Sequence, residues 1–121
     1  MPFPILFGVP EDTPEEVLKV LRRDIVATLA SKMRVPANWI HPFFPKDLLG
    51  EPEEEADGSS TIYVSLDTAM FHGVTNVDAL AKEVTQALAE VVWEAFSGRY
   101  EVEVFIGDLN KEWKYLIKAS S

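Results

Sequence analysis

The 121 residues fit a single domain, and a chain of that length buries roughly two thirds of its extended surface, so it needs no covalent staple to fold. It has no cysteine, which excludes a disulfide framework, a thiolate nucleophile and every cysteine-based zinc site. Eleven basic and twenty acidic residues give a net charge of −9; that sign repels phosphate backbones, and the nearest basic patch, Lys19, Arg22 and Arg23, is diluted by Glu15, Glu16 and Asp24, so no nucleic-acid partner is expected.

The chain opens on an apolar run, Met1-Pro2-Phe3-Pro4-Ile5-Leu6-Phe7, that ends at Val9-Pro10 and meets Glu11 and Asp12 at once. It is too short and wrongly flanked for a signal peptide, and no later stretch approaches a membrane span; a cytoplasmic address and no membrane partner are expected. The run reads as a strand over 3–9. Next, Val17, Leu18, Leu21, Ile25, Val26, Leu29 and Met33 recur at intervals of three and four and paint one face of a helix. Thr13 and Glu16 have capping-box spacing around Pro14 at the first helical position, and the helix should stop before Pro36. A strand over 39–44 follows.

The stretch 50–60 packs five carboxylates, Glu51, Glu53, Glu54, Glu55 and Asp57, without an apolar face. It reads as a solvated loop and has no calcium-loop spacing. Residues 61–66 alternate as a strand. A second helix runs from about Val77 to Phe96, with Val84, Leu88 and Val92 on its apolar side, Thr75 and Asp78 as a cap and Gly98 as the stop. Trp93 and Phe96 are assigned to the core. Residues 100–106 form a strand with Val102, Val104 and Ile106 on one side and Glu103 and Phe105 on the other. Gly107-Asp108-Leu109-Asn110 reads as a turn, and 113–118 as a last strand returning antiparallel.

The expected architecture is therefore α/β of the α+β kind. Two β-α-β units form a four-stranded mixed sheet with two helices on one face, plus a C-terminal hairpin strand. One domain spans 1–121, with halves at about 1–46 and 60–107 and the hairpin at 107–119. The uncovered sheet face and edges favour a homo-oligomer over a monomer.

One residue could carry chemistry. If Met1 is removed, Pro2 presents a secondary amine at the start of a strand. Burial beside apolar groups and a nearby cation would lower its pKa, and a neutral amine can act as general base or attack a carbonyl. The dipeptide alone carries little weight, since many chains begin Met-Pro by chance. His41 and His72 stand far apart without a partner at helical spacing, so a zinc site is not expected; His41 reads as a structural residue and His72 as a loop residue bordering the pocket. No nucleophile elbow and no Gly-rich phosphate loop occur, and no metal or cofactor is expected.

The order and spacing of four segments resemble the tautomerase superfamily. They are Met1-Pro2-Phe3-Pro4-Ile5, Val35-Pro36-Ala37-Asn38-Trp39-Ile40, Val64-Ser65-Leu66-Asp67-Thr68, and Val102 through Asn110. The layout is closest to the macrophage migration inhibitory factor branch and to a small uncharacterised bacterial family. The resemblance covers most of the chain, and no single motif is specific. It implies a homotrimer with active sites between subunits, in which the terminal proline moves a proton between carbon atoms of a keto–enol pair, while other members of the family hydrate or dehalogenate unsaturated acids. On that resemblance Pro2 is catalytic, Arg34 or Lys32 holds a substrate carboxylate, and Ala69 presents its backbone to the substrate. Where the cytokine branch has a tyrosine and an asparagine, this chain has Glu103 and Phe105. Phe105 and Trp113 would shape the pocket, although Trp113 and Tyr115 read first as subunit packing. The implied partner is a small carboxylate or carbonyl compound; the alternative is a non-catalytic homo-oligomeric binding or scaffold protein of the same fold.

Overall fold

The structure, a computed structural model, describes residues 2–46, 61–71, 73–109 and 111–120. Met1, His72 and the acidic stretch 51–60 lie outside the described residues. The elements in order are β1 (Phe3–Phe7), α1 (Glu15–Met33), β2 (Thr61–Thr68), α2 (Val77–Ala95) and β3 (Glu101–Asp108), with short 3-10 turns at Ala37–Trp39 and Lys111–Trp113. Gly107 and Asp108, read from sequence as turn, complete β3.

The sheet order is β1-β2-β3. β1 lies antiparallel to β2, with Phe3 opposite Asp67 and Phe7 opposite Tyr63. β2 lies parallel to β3, with Ser65 opposite Phe105 and Asp67 opposite Gly107. The even-numbered side chains Leu6, Ile62, Val64 and Leu66 are fully buried beneath the helices. The helices meet them through residues four apart: Leu21, Ile25 and Leu29 on α1, Val84, Leu88 and Val92 on α2. Each such side chain contributes about 1.5–3 kcal/mol by leaving water. The odd-numbered residues face away from the helices, and among them Phe7, Tyr63 and Phe105 are about half exposed.

The expected fourth strand at 39–44 is reduced to a single parallel bridge, Ile5 to Phe43, so the described sheet has three strands. Two prolines explain this. The bridge is complete, because the Phe43 N–H donates to the Pro4 carbonyl (2.9 Å) and the Leu6 N–H to the Phe43 carbonyl (3.0 Å). One step earlier the His41 N–H donates to the Pro2 carbonyl (3.3 Å), but the return bond needs an N–H on residue 4, which is proline. One step later the ladder needs an N–H on residue 45, also proline. Each end of the ladder fails for want of one donor.

The C-terminal hairpin strand is also not formed. After the turn at Lys111–Trp113, residues 114–120 carry no regular structure, and Trp113 and Tyr115 are 87% and 89% exposed. The alternating pattern is strand-like, but a strand needs a neighbour, and among the described residues none pairs with it.

The helix ends differ in detail from expectation. Pro14 occupies the cap position of α1 without a side-chain hydrogen bond, and the Thr13 hydroxyl donates instead to the Pro10 carbonyl at 2.6 Å; no capping box forms. Asn76, in the left-handed region, precedes α2, and neither Thr75 nor Asp78 caps it. At the other end, Ser97 N–H bonds to the Glu94 carbonyl and Gly98 N–H to the Trp93 carbonyl, a Schellman ending. Gly98 lies under the Trp93 ring, where a Cβ would come within 2.6 Å of a ring carbon. Trp93 is half exposed and serves this turn, whereas Phe96 is core as expected.

Candidate functional site

The C-terminal ends of the parallel strands β2 and β3 meet the N-terminal end of β1, the part of a parallel arrangement where loops collect and ligands bind. Pro2 stands there, fully buried, its carbonyl held by the His41 N–H. The first residue of β1, Phe3, stacks on the His41 ring with centroids 6.3 Å apart. Opposite Pro2, β2 ends in Thr68, also fully buried. Its hydroxyl accepts the Met70 N–H at 3.1 Å and its carbonyl accepts the Leu109 N–H at 3.1 Å. These bonds fix the turn through half-buried Ala69 and bring the chain after β3 alongside. Pro2 and Ala69 thus both lie at this end of the sheet.

Arg34 and Lys32 reach the same end of the molecule but face elsewhere. Arg34 closes α1 in the left-handed region (φ 56°), with the following Val35 N–H on the Ala30 carbonyl at 3.2 Å. Lys32 bridges the helices through an ion pair of 3.0 Å to Glu83. Both line a cleft of about 700 Å³ whose other wall is the start of α2, including Thr75, Asn76 and Ala79; Pro2 is not part of that wall. Phe105 lies on the uncovered sheet face in register with Ser65, and Trp113 lies in the exposed turn after β3. Within one protomer, then, the six candidates form two groups and two isolated aromatics.

The sequence reading assigned no role to Asp67. Its carboxylate accepts a 2.6 Å hydrogen bond from the Ser65 hydroxyl and lies directly over Gly107, one register step from Pro2 on the uncovered face. The available signal was the Ser-x-Asp pair in β2 together with a glycine inside β3. That pair and that glycine are about 40 residues apart, and only the parallel register joins them.

No family model matches this chain, and no curated protein matches it in sequence. Solved structures do match. The protein Pt0534 inactivated by 2-oxo-3-pentynoate is 14% identical over 94% of this chain and 91% of its own, with a TM-score of 0.72. A fused 4-OT wild-type asymmetric trimer is 14% identical over 88% of this chain and 85% of its own, at 0.71. The macrophage migration inhibitory factor-like protein of Entamoeba histolytica is 9% identical over 94% and 92%, at 0.62. The chain has the tautomerase-superfamily fold. Among the described residues no helix is long and apolar enough to cross a membrane.

Proposed function

We propose that this protein is a tautomerase-like enzyme. After removal of Met1, the Pro2 nitrogen serves as the base that moves a proton on a small keto–enol compound or unsaturated acid. The observation that carries the reading is the position of Pro2 at the start of β1, beside the C-terminal end of β2 and the segment that follows β3, with its carbonyl held by the His41 N–H. An amine among apolar groups loses hydration of its charged form, which favours the neutral base. Arg34, or Lys32 released from Glu83, is the holder of a substrate carboxylate; the Ala69 backbone and the Phe105 and Trp113 rings complete the pocket. Since Phe105 and Trp113 do not meet Pro2 within a protomer, the pocket is completed between subunits of a homotrimer. The unpartnered aromatic sheet face and the exposed tail supply the contact surface. A trimeric fused 4-OT and a protein inactivated by 2-oxo-3-pentynoate, an α-keto acid derivative, support assembly and substrate class by likeness of fold.

The test is a phenylenolpyruvate tautomerisation assay on protein whose intact mass establishes a free Pro2. Pro2→Ala should lower kcat/KM by at least about a hundredfold, the scale of general acid–base catalysis; equal rates end the proposal. A second reading, a non-catalytic oligomeric scaffold, is favoured by the Lys32–Glu83 ion pair and by the separation of the Arg34 cleft from Pro2. It predicts a retained Met1 and no turnover in the same assay.

A further inference from the structure

We propose a docking groove for a cationic amphipathic helix of a partner protein, between the N-terminal half of α1 and the C-terminal half of α2. It lies on the helical layer, away from Pro2, and does not depend on the enzymatic reading. The groove has a volume of about 620 Å³, within the range of sites that take up ligand groups. Its floor is apolar, made by Val17 and Val20 of α1 with Val91 and Ala95 of α2. Val20 is 45% exposed, because the buried stripe of α1 runs through Leu21, Ile25 and Leu29 and leaves Val20 outside the core.

The rim is anionic. Glu16 and Asp24 of α1 and Glu94 of α2 border the floor, and no lysine or arginine is among the lining residues. Two cations of α1 are engaged nearby. Arg23 pairs with Asp24 at 3.3 Å and Lys19 with Glu15 at 3.4 Å, both exposed pairs weak enough to yield to a partner's charge. Carboxylates on both walls reject a fatty acid, a phosphate or a nucleic acid. They complement lysines or arginines that flank an apolar stripe spaced i, i+3, i+4, i+7. Two antiparallel helices already present the ridges between which a third helix packs.

The probe is a capped peptide of about four helical turns, leucine on the stripe and lysine elsewhere, compared with its glutamate counterpart. The readout is amide chemical-shift titration of the full chain. The lysine peptide should shift the amides around Val20 and Val91 and bind at least tenfold tighter than the glutamate peptide. It should lose at least tenfold in affinity between about 0.05 and 0.5 M salt, as screening demands. Val20→Lys and, separately, the exposed Glu94→Lys should each weaken it at least fivefold while circular dichroism is unchanged. Equal binding of the two peptides, salt-independent binding, shifts confined to Tyr63 and Phe105, or full affinity in the folded Glu94→Lys protein would each overturn the proposal.

Discussion

Arg34 sits where a helix ending of this kind ordinarily takes glycine, with φ at 56°. A side chain in the left-handed region costs of order 1 kcal/mol. Arg34→Gly should therefore raise unfolding free energy by about 0.5–1 kcal/mol in urea titration. If Arg34 holds a carboxylate, the same variant raises KM, separating its two contributions in one protein. Gly107 is the converse case, because Asp67 occupies the space a Cβ would need. Gly107→Ala should cost about 1–3 kcal/mol as an overpacking change, and adding Asp67→Ala should restore most of it, measured as a double-mutant cycle. At this scale the sequence was informative about Pro2, whose chemistry follows from residue type. It was silent about Asp67, whose contact with Gly107 depends on a strand register that no local pattern encodes.

Among elements, the helices were legible because spacing of three and four over 19 residues is redundant; α2 was expected over 77–96 and spans Val77–Ala95. Their start signals were not, since Thr13 had a nearer acceptor in the Pro10 carbonyl. The edge strand failed for a reason written in the sequence but decided by pairing: prolines at 4 and 45 matter only because the backbone nitrogens at those two positions face each other's strand, where the ladder needs donors. Pro45→Ala supplies one missing donor to the Leu6 carbonyl. Hydrogen exchange should then show the new residue-45 amide protected at least tenfold relative to an exposed amide, with the Phe43 amide also slowed. In the core, Leu88→Ala should cost about 2–5 kcal/mol, read from the shift of the denaturation midpoint at constant slope.

At the scale of the whole molecule, one face of the sheet and the tail present aromatic side chains that a lone protomer leaves in water. The strand-like alternation of Trp113, Tyr115 and Ile117 misled the sequence reading into an intramolecular hairpin, because periodicity reports that a segment can pair and not with what. For the proposed trimer, sedimentation equilibrium should give three times the 13.6 kDa chain mass. Phe105→Lys, placing a charge on the half-exposed face, should shift that mass toward the monomer without loss of helical signal.

The prolines along this edge, Pro42 as well as Pro4 and Pro45, also bear on how the protein meets other chains. Inward bonding by His41 and Phe43 turns residue 42 outward, and Pro42 offers a passing chain no hydrogen there. A foreign strand therefore finds no regular row of donors to zip onto, and fibril growth has no template along this border. Replacing those imino acids to straighten the edge would gain ordered backbone and, with it, a surface that seeds aggregation.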